Sequence, residues 1–288
     1  MTQGQSVLPG ASQLAEFGRY FDLSLAMTRK QRALVYQIRY RVYCEEFGYE
    51  PASDFSGHQE MDEFDCQSVH CLATHRESGI TAGCVRLVLT EGNDKLPLEI
   101  HAGDSLDQDF IDSFSDRRHT LCEISRLAVE SAFRRRRGED RSGYGNINPD
   151  ESNVLERRTF PVISLALIIG AGAIADILDR KNCFSLMEPS LPLLLKRAGM
   201  HFRRVGEDFE FRGLRAAYYG NLDNLFGKAP PDLKRYFSTV REQFAPLLVT
   251  RTKAYPPAAL SPPRQHNDRF ELPSHRSDAR DCLQRCAC

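Results

Sequence analysis

The chain has 288 residues, with 38 Lys and Arg against 39 Asp and Glu, a formal net charge of −1. This balance removes any global electrostatic pull toward nucleic acid or a membrane surface, so recognition must rest on local patches. No run of about 18 apolar residues occurs, which excludes a helical membrane span. Residues 1–11 lack the basic start and apolar core of a secretory leader, so a cytoplasmic location is expected.

In chain order, residues 1–20 read as a loosely ordered lead. Thr28-x-x-Gln31 is a capping-box pattern that opens a helix over 29–47, with Leu34, Val35, Ile38 and Val42 along one side. Arg39 and Tyr43, four positions apart, share a face of it. A Gly/Pro/Ser-rich loop (48–59) leads to the acidic stretch Met61-Asp62-Glu63-Phe64-Asp65. Residues 69–75 and 80–89 read as strands joined by the turn Glu77-Ser78-Gly79. An irregular segment, 96–118, precedes a strand at 121–129, and the polar stretch 138–152 reads as a mobile loop. An apolar helix (160–178), a strand (183–187) and a helix (190–198) capped by Gly199 follow. Residues 202–205 and 209–212 pair as a last hairpin, and 223–248 hold two short helices around Pro230-Pro231. From residue 250 the chain is Pro-, Arg- and Asp-rich without periodicity, which predicts disorder. The expected organisation is therefore a lead (1–20), an α/β domain (21–220), a helical extension (221–249) and a tail (250–288). The domain has a mixed central sheet flanked by helices, with βαβ character over 121–205.

The most informative stretch is Leu121-Cys122-Glu123-Ile124-Ser125-Arg126-Leu127-Ala128-Val129, followed by Phe133-Arg134-Arg135-Arg136-Arg137-Gly138. Charges inside an apolar strand are costly unless paired, so this is either a structural ion network or chemistry. In a regular strand Glu123 and Ser125 share a face and Arg126 takes the other. A bulge would bring Arg126 to the same side. Otherwise each charge pairs separately with Arg39, Arg86, Asp62 or Asp65. The arginine run suits an anion, through guanidinium and backbone donors. Gly170-Ala171-Gly172 lies inside an apolar helix, where small residues permit close packing on a sheet; it is not a dinucleotide-binding turn. Of the nine cysteines, Cys44, Cys66, Cys71, Cys84, Cys122 and Cys183 read as buried free thiols. Cys282-x-x-x-Cys286-x-Cys288 has no fourth ligand at convincing spacing, so no metal is expected.

Arg39-x-x-x-Tyr43, Tyr49, Asp62-x-x-Asp65, Arg86-Leu87 and Glu123-Ile124-Ser125-Arg126 resemble the signature of the acyl-homoserine-lactone synthases, a branch of the GNAT-like acyltransferases. A fuller pattern resembles the PEP-CTERM/exosortase-associated acyltransferases and the related N-acyl amino acid synthases. It adds Arg39 to Glu46, Ser68-Val69-His70, Phe133 to Arg136 and Met187-Glu188-Pro189-Ser190-Leu191, and covers roughly residues 20–220. The resemblance implies a GNAT-like fold and transfer of a long-chain acyl group from a carrier-protein thioester to a primary amine. The acceptor would be an amino acid, or S-adenosylmethionine in a lactone synthase. A non-catalytic module that binds acyl chains or carrier protein is the alternative from another class. Glu123 would be the general base, Ser125 a hydrogen-bond donor to the thioester, and Arg126 part of an acceptor-site network with Arg39, Asp62, Asp65 and Arg86. Leu127, Ala128 and Val129 would take the pantetheine arm, and Arg134, Arg135 and Arg136 its phosphate. No cofactor would be bound permanently. The diphosphate loop of ordinary GNAT enzymes is half present, since Arg135-x-x-Gly138-x-Asp140 ends in a carboxylate, which favours a donor with one phosphate. Arg134 to Arg137 with Arg180, Lys181, Lys196 and Arg197 would form a docking face for an acidic carrier protein. Leu165, Ile168, Ile169 and Leu186 are candidates for an acyl tunnel or for plain core.

Overall fold

The computed structural model describes residues 11–134 and 162–254. Helix α1 (Ala11–Tyr20) leads into strand β1 (Phe21–Leu25). Helix α2 (Arg29–Tyr40) starts at the expected capping box, in which Thr28 and Gln31 satisfy each other's backbone N–H groups. It runs on without a break into a π-helical turn, Arg41–Glu46. The hairpin β2 (Ser68–His75) and β3 (Thr81–Leu89) follows. Two short helices, α3 (Pro97–His101) and α4 (Gln108–Asp112), fill the segment before β4 (Leu121–Val129). After β4 come α5 (Val162–Ile177), β5 (Asn182–Met187), α6 (Ser190–Arg197), β6 (Arg203–Arg204), β7 (Phe209–Glu210) and β8 (Leu214–Asn221). The described part closes with α7 (Leu222–Gly227) and α8 (Pro231–Ala254).

The sheet order is β1-β2-β3-β4-β5-β8-β6, with β7 also on β8. Every pairing is antiparallel except β4–β5, which α5 connects as a βαβ unit. Strand alternation divides the core. Cys71, Ala73, Val85 and Leu87 face α5, α1 and α8, while Leu72, Cys84 and Ala128 face Val35 and Ile38 of α2. Helix α5 is apolar all round because it lies between the sheet and α8; from Val162 to Ala175 every residue is buried. Its glycines work as packing surfaces. A Cβ at Gly170 would meet Cys71 Sγ at 3.0 Å, and one at Gly172 the Phe226 ring at 2.7 Å.

Several expectations change. Residues 11–20 are a helix that buries Leu14 and Phe17, and β1 is an edge strand burying Phe21, Leu23 and Leu25. Residues 202–205 and 209–212 do not pair with each other; both flank β8, whose run of small and tyrosyl residues hides its strand pattern. The helical extension is no appendage, since Leu233, Val240 and Phe244 of α8 are buried in the same core as α5. Cys44, Cys71, Cys84, Cys122 and Cys183 are buried free thiols, but Cys66 is exposed and disulfide-bonded. The expected mobile loop at 138–152 and the tail cysteines lie outside the described residues, as does the chain beyond Ala254.

Candidate active site

Two departures from sheet regularity build the site. The first is on β4. The register passes from Arg86↔Ser125 to Cys84↔Ala128, so β4 carries one residue more than β3 over this stretch. Arg126 takes up the excess at φ 51, in the left-handed region that an L side chain rarely adopts. This is the bulge that side-chain alternation required for Glu123, Ser125 and Arg126 to work on one side. The second is between β4 and β5. They pair only at Leu121↔Asn182, Cys122↔Cys183 and Glu123↔Phe184, after which Ser185 Oγ donates a 2.7 Å bond to the Ile124 carbonyl. Beyond that point β4 stays with β3 and β5 with β8. The strands part, and a cleft opens along the freed edge of β4, lined by Glu123, Ser125, Arg126 and Leu127 on one wall and by Leu186, Met187 and Glu188 on the other.

Beneath the bulge three arginines and three carboxylates form one buried network. Arg39 holds Asp65 in a bidentate pair at 2.6 and 3.1 Å and also bonds Glu60. Arg86 bonds Asp62, reaches Asp65 at 3.1 Å, and donates to Ser125 Oγ at 3.1 Å. Arg126 donates to Glu60 at 3.1 Å and to Asp62 at 2.7 Å. Burial alone would raise the pKa of Glu60, Asp62 and Asp65. The arginines outweigh it and hold all three below the ordinary carboxylate range. Charges are matched three to three, which makes burial tolerable. Next to Asp65, at 3.6 Å, burial lowers His70 to about 3, so this imidazole is neutral. Glu60 was not picked out from the sequence. It closes a Gly/Pro/Ser-rich loop two residues before Asp62, and only folding reveals that it joins Arg39 to Arg126.

Glu123 stands apart from this network. It is buried, yet among the described residues no arginine reaches it within ion-pair distance. Its Oε2 accepts a 2.7 Å bond from the Leu98 N–H. Burial pushes its carboxyl up to about 8, against the pull of that N–H and of Arg86 and Arg126. A carboxyl of this kind, in a cleft, can take a proton near neutral pH. Ser125 accepts from Arg86, which leaves its own hydroxyl proton for a group in the cleft.

The remaining expected residues divide. Tyr43 Oη donates to the Leu127 carbonyl at 2.9 Å, and Arg134 Nε to the Val129 carbonyl at 2.6 Å. On the stretch Leu127, Ala128 and Val129, expected to take a pantetheine arm, two carbonyls therefore already accept one bond each. Arg134 itself is buried, ion-paired with Glu46 and stacked on Phe47 at 4.9 Å. It clamps the π-helical turn to the end of β4 and is not the free phosphate ligand the sequence suggested. Arg135 and Arg136, with Arg137, lie outside the described residues. The expected docking face also breaks up. Arg180 donates to the carbonyls of Thr90 and His119, and Lys181 pairs with Asp176 and Asp223. Both sit at the start of β5, roughly 17 Å from the cleft end at ~3.3 Å per residue. Lys196 and Arg197, at the end of α6, are exposed. Ile168 and Leu186 line the cleft, whereas Leu165 and Ile169 are core.

Comparison with known proteins agrees with this architecture. Residues 38–142 match the acetyltransferase (GNAT) domain family. The structure of TofI in a ternary complex with an inhibitor and MTA superposes with a TM-score of 0.51 at 18% identity, covering 75% of this chain and 96% of that one. The AHL synthase LasI (TM-score 0.48, 14% identity, 73% and 97% covered) and FeeM, an N-acyl amino acid synthase from uncultured soil microbes (0.46, 11%, 73% and 94%), are similar in shape. No curated protein matches the sequence. The match to the GNAT domain model and the likeness to TofI agree in fold with the mixed α/β sheet described above.

Proposed function

We propose that the protein transfers a long-chain acyl group from an acyl carrier protein thioester to the amine of an amino acid. The observation that carries this reading is Glu123: a buried carboxyl without an arginine partner among the described residues, pushed up to about 8 by burial, beside the freed edge of β4. An amine is mostly protonated at pH 7 and must lose a proton to attack. Glu123 takes that proton, directly or through a water. The amine nitrogen then bonds to the thioester carbonyl carbon. Backbone N–H groups at the Arg126 bulge and the Ser125 hydroxyl stabilise the oxyanion. Collapse breaks the C–S bond, the leaving thiolate takes the proton that the new amide nitrogen sheds, and Glu123 returns its proton to solvent. Ile168 and Leu186 offer apolar surface to the acyl chain. The resemblance read from the sequence favours a carrier-protein donor, an amino acid acceptor and a setting in a surface-protein sorting or exopolysaccharide system.

Mass spectrometry of lipid extracts from cells expressing the wild type and Glu123→Gln tests this. An N-acyl amino acid series present only with the wild type supports it. Acyl-lactones would assign the acceptor to S-adenosylmethionine instead. No new lipid with either folded protein, and acyl-donor binding unchanged in Glu123→Gln, would leave a binding module.

A further inference from the structure

Among the described residues four arginines line the cleft: Arg126, Arg134, Arg212 and Arg215. Three have two nitrogens engaged by the protein, Arg215 through one hydrogen bond and one ion-pair contact that is not a hydrogen bond. Arg126 bonds Glu60 and Asp62; Arg134 bonds the Val129 carbonyl and Glu46. Arg215 pairs with Glu188 at 2.7 Å through Nη1 and donates through Nη2 to the Arg212 carbonyl at 2.8 Å. Arg212 differs. Its Nη2 bonds Glu50, and no other described residue accepts from Nε or Nη1. Its guanidinium lies over the Phe211 ring at 4.5 Å, and Phe211 in turn stacks on His101, 4.4 Å between centroids, on the cleft wall.

The backbone is shaped to deliver it there. Arg212 occupies the middle of the three-residue tip between β7 and β8, at φ 53, with Gly213 following at φ 88. Arg126 and Arg212 are two of the described non-glycine residues at positive φ, and both present guanidinium groups to the same cleft. Left-handed strain in an arginine persists only where surrounding structure holds it, and such residues cluster at ligand sites. Glu50 Oε1 bonds Arg212 and lies 3.7 Å from Arg126 Nη2, so one half-buried carboxylate serves both. Burial and the neighbouring Arg126 charge hold Arg212 below the usual arginine range, so a second anion at this point is favoured.

We infer that Arg212, oriented by Glu50 and Phe211, is the specificity residue that receives the carboxylate of the acceptor, through a charge-assisted hydrogen bond from Nη1 or Nε, neither of which a described residue occupies. This rests on the proposed acylation of an amine and narrows the acceptor to one that bears a carboxylate. Glu50 is a positioning residue. It aims the guanidinium and, being anionic, also weakens the attraction for a second carboxylate.

The test uses the full chain, a long-chain acyl thioester of acyl carrier protein, and matched pairs of amino acids and their amides (leucine and leucinamide, phenylalanine and phenylalaninamide, tyrosine and tyrosinamide). An amide amine is less basic, so the quantity read is the change in the acid-to-amide ratio of kcat/KM between proteins. Arg212→Gln is expected to raise KM for the acids by about tenfold or more, the factor a charge-assisted hydrogen bond supplies, with KM for the amides and the donor unchanged. Glu50→Gln keeps an oxygen facing Arg212 but removes the charge, and is expected to move the ratio the other way. Misfolding cannot produce that opposite sign. A ratio unmoved in both variants would overturn the assignment while leaving amine acylation intact. Should Arg212→Gln lose activity on both members of every pair, an unmoved ratio in Glu50→Gln and Arg212→Lys overturns it. Wild type that acylates neither member of any pair refutes the proposed acceptor class itself.

Discussion

The Tyr43 hydroxyl donates a 2.9 Å hydrogen bond to the carbonyl of Leu127, tying the π-helical turn after α2 to the β4 bulge. Burial pushes Tyr43 up to about 12, so the phenol remains a donor across the working pH range. Tyr43→Phe should cost about 1 kcal/mol of stability, the typical net value of such a bond. It should also lower kcat more than it raises either KM, because the bulge backbone loses its tether. Thermal melts and steady-state kinetics would check both. Unchanged kcat would separate the tether from catalysis.

Glu123 yields a paired prediction on pH. As a base it must be ionised, so turnover should rise with pH and level off above about 8. For stability the sign is opposite. The folded pKa lies above the unfolded one, so Glu123 contributes fully at low pH and that contribution is lost as pH rises through about 8. Glu123→Gln should abolish turnover and melt higher than the wild type at pH 9, with the gap closing below pH 5. Scanning calorimetry at two pH values reads this directly.

The arginine–carboxylate network should behave in the reverse sense. Glu60, Asp62 and Asp65 have folded pKa values below their unfolded ones, so their stabilisation is present above the ordinary carboxylate range and is lost only as pH falls through the folded values. Asp65→Asn leaves Arg39 and Arg86 partly unpaired in the interior. A loss of about 3–5 kcal/mol is expected in urea unfolding. A loss below 1 kcal/mol would mean that water enters the network.

Ile168 projects from α5 into the cleft. Ile168→Phe should shorten the preferred acyl chain, seen as a shift in the product series by mass spectrometry, with the amine unchanged. The same substitution at Ile169, fully buried in the core, should instead destabilise by about 1–3 kcal/mol through overpacking.

Lys196 and Arg197 are the exposed remnant of the expected basic docking face. Reversing both to Glu should raise the KM for a carrier-protein donor and flatten its salt dependence, leaving turnover with a small acyl thioester unaffected. Initial rates from 0.05 to about 0.5 M salt would show it.

Much of this site could be read before folding, for reasons that differ by residue. The parity of Glu123, Ser125 and Arg126 on a strand demanded either a bulge or separate partners, and the bulge is there. The capping box at Thr28 and the β2–β3 hairpin are local patterns and appear where expected. Arg134 misled because a run of four arginines suits an anion, whereas its first member is drawn inward by Glu46 and Val129, a distant side chain and a backbone carbonyl that no spacing reveals. Strand β8 escaped because Ala, Tyr and Gly carry little alternation, and with it went Arg212, whose significance depends on a hairpin tip meeting Glu50 from 162 residues away. Glu60 was hidden likewise by its loop.

The six charges of the network, four of them buried, come from helix α2, the 60–65 loop, β3 and β4. Each arginine answers carboxylates on a different segment. A change of substrate preference by exchanging single loops with a relative would therefore strand an ion in the interior. Successful chimeras should join outside this block, carrying residues 29–129 as one inherited unit and varying only the β7–β8 tip and α6 against it.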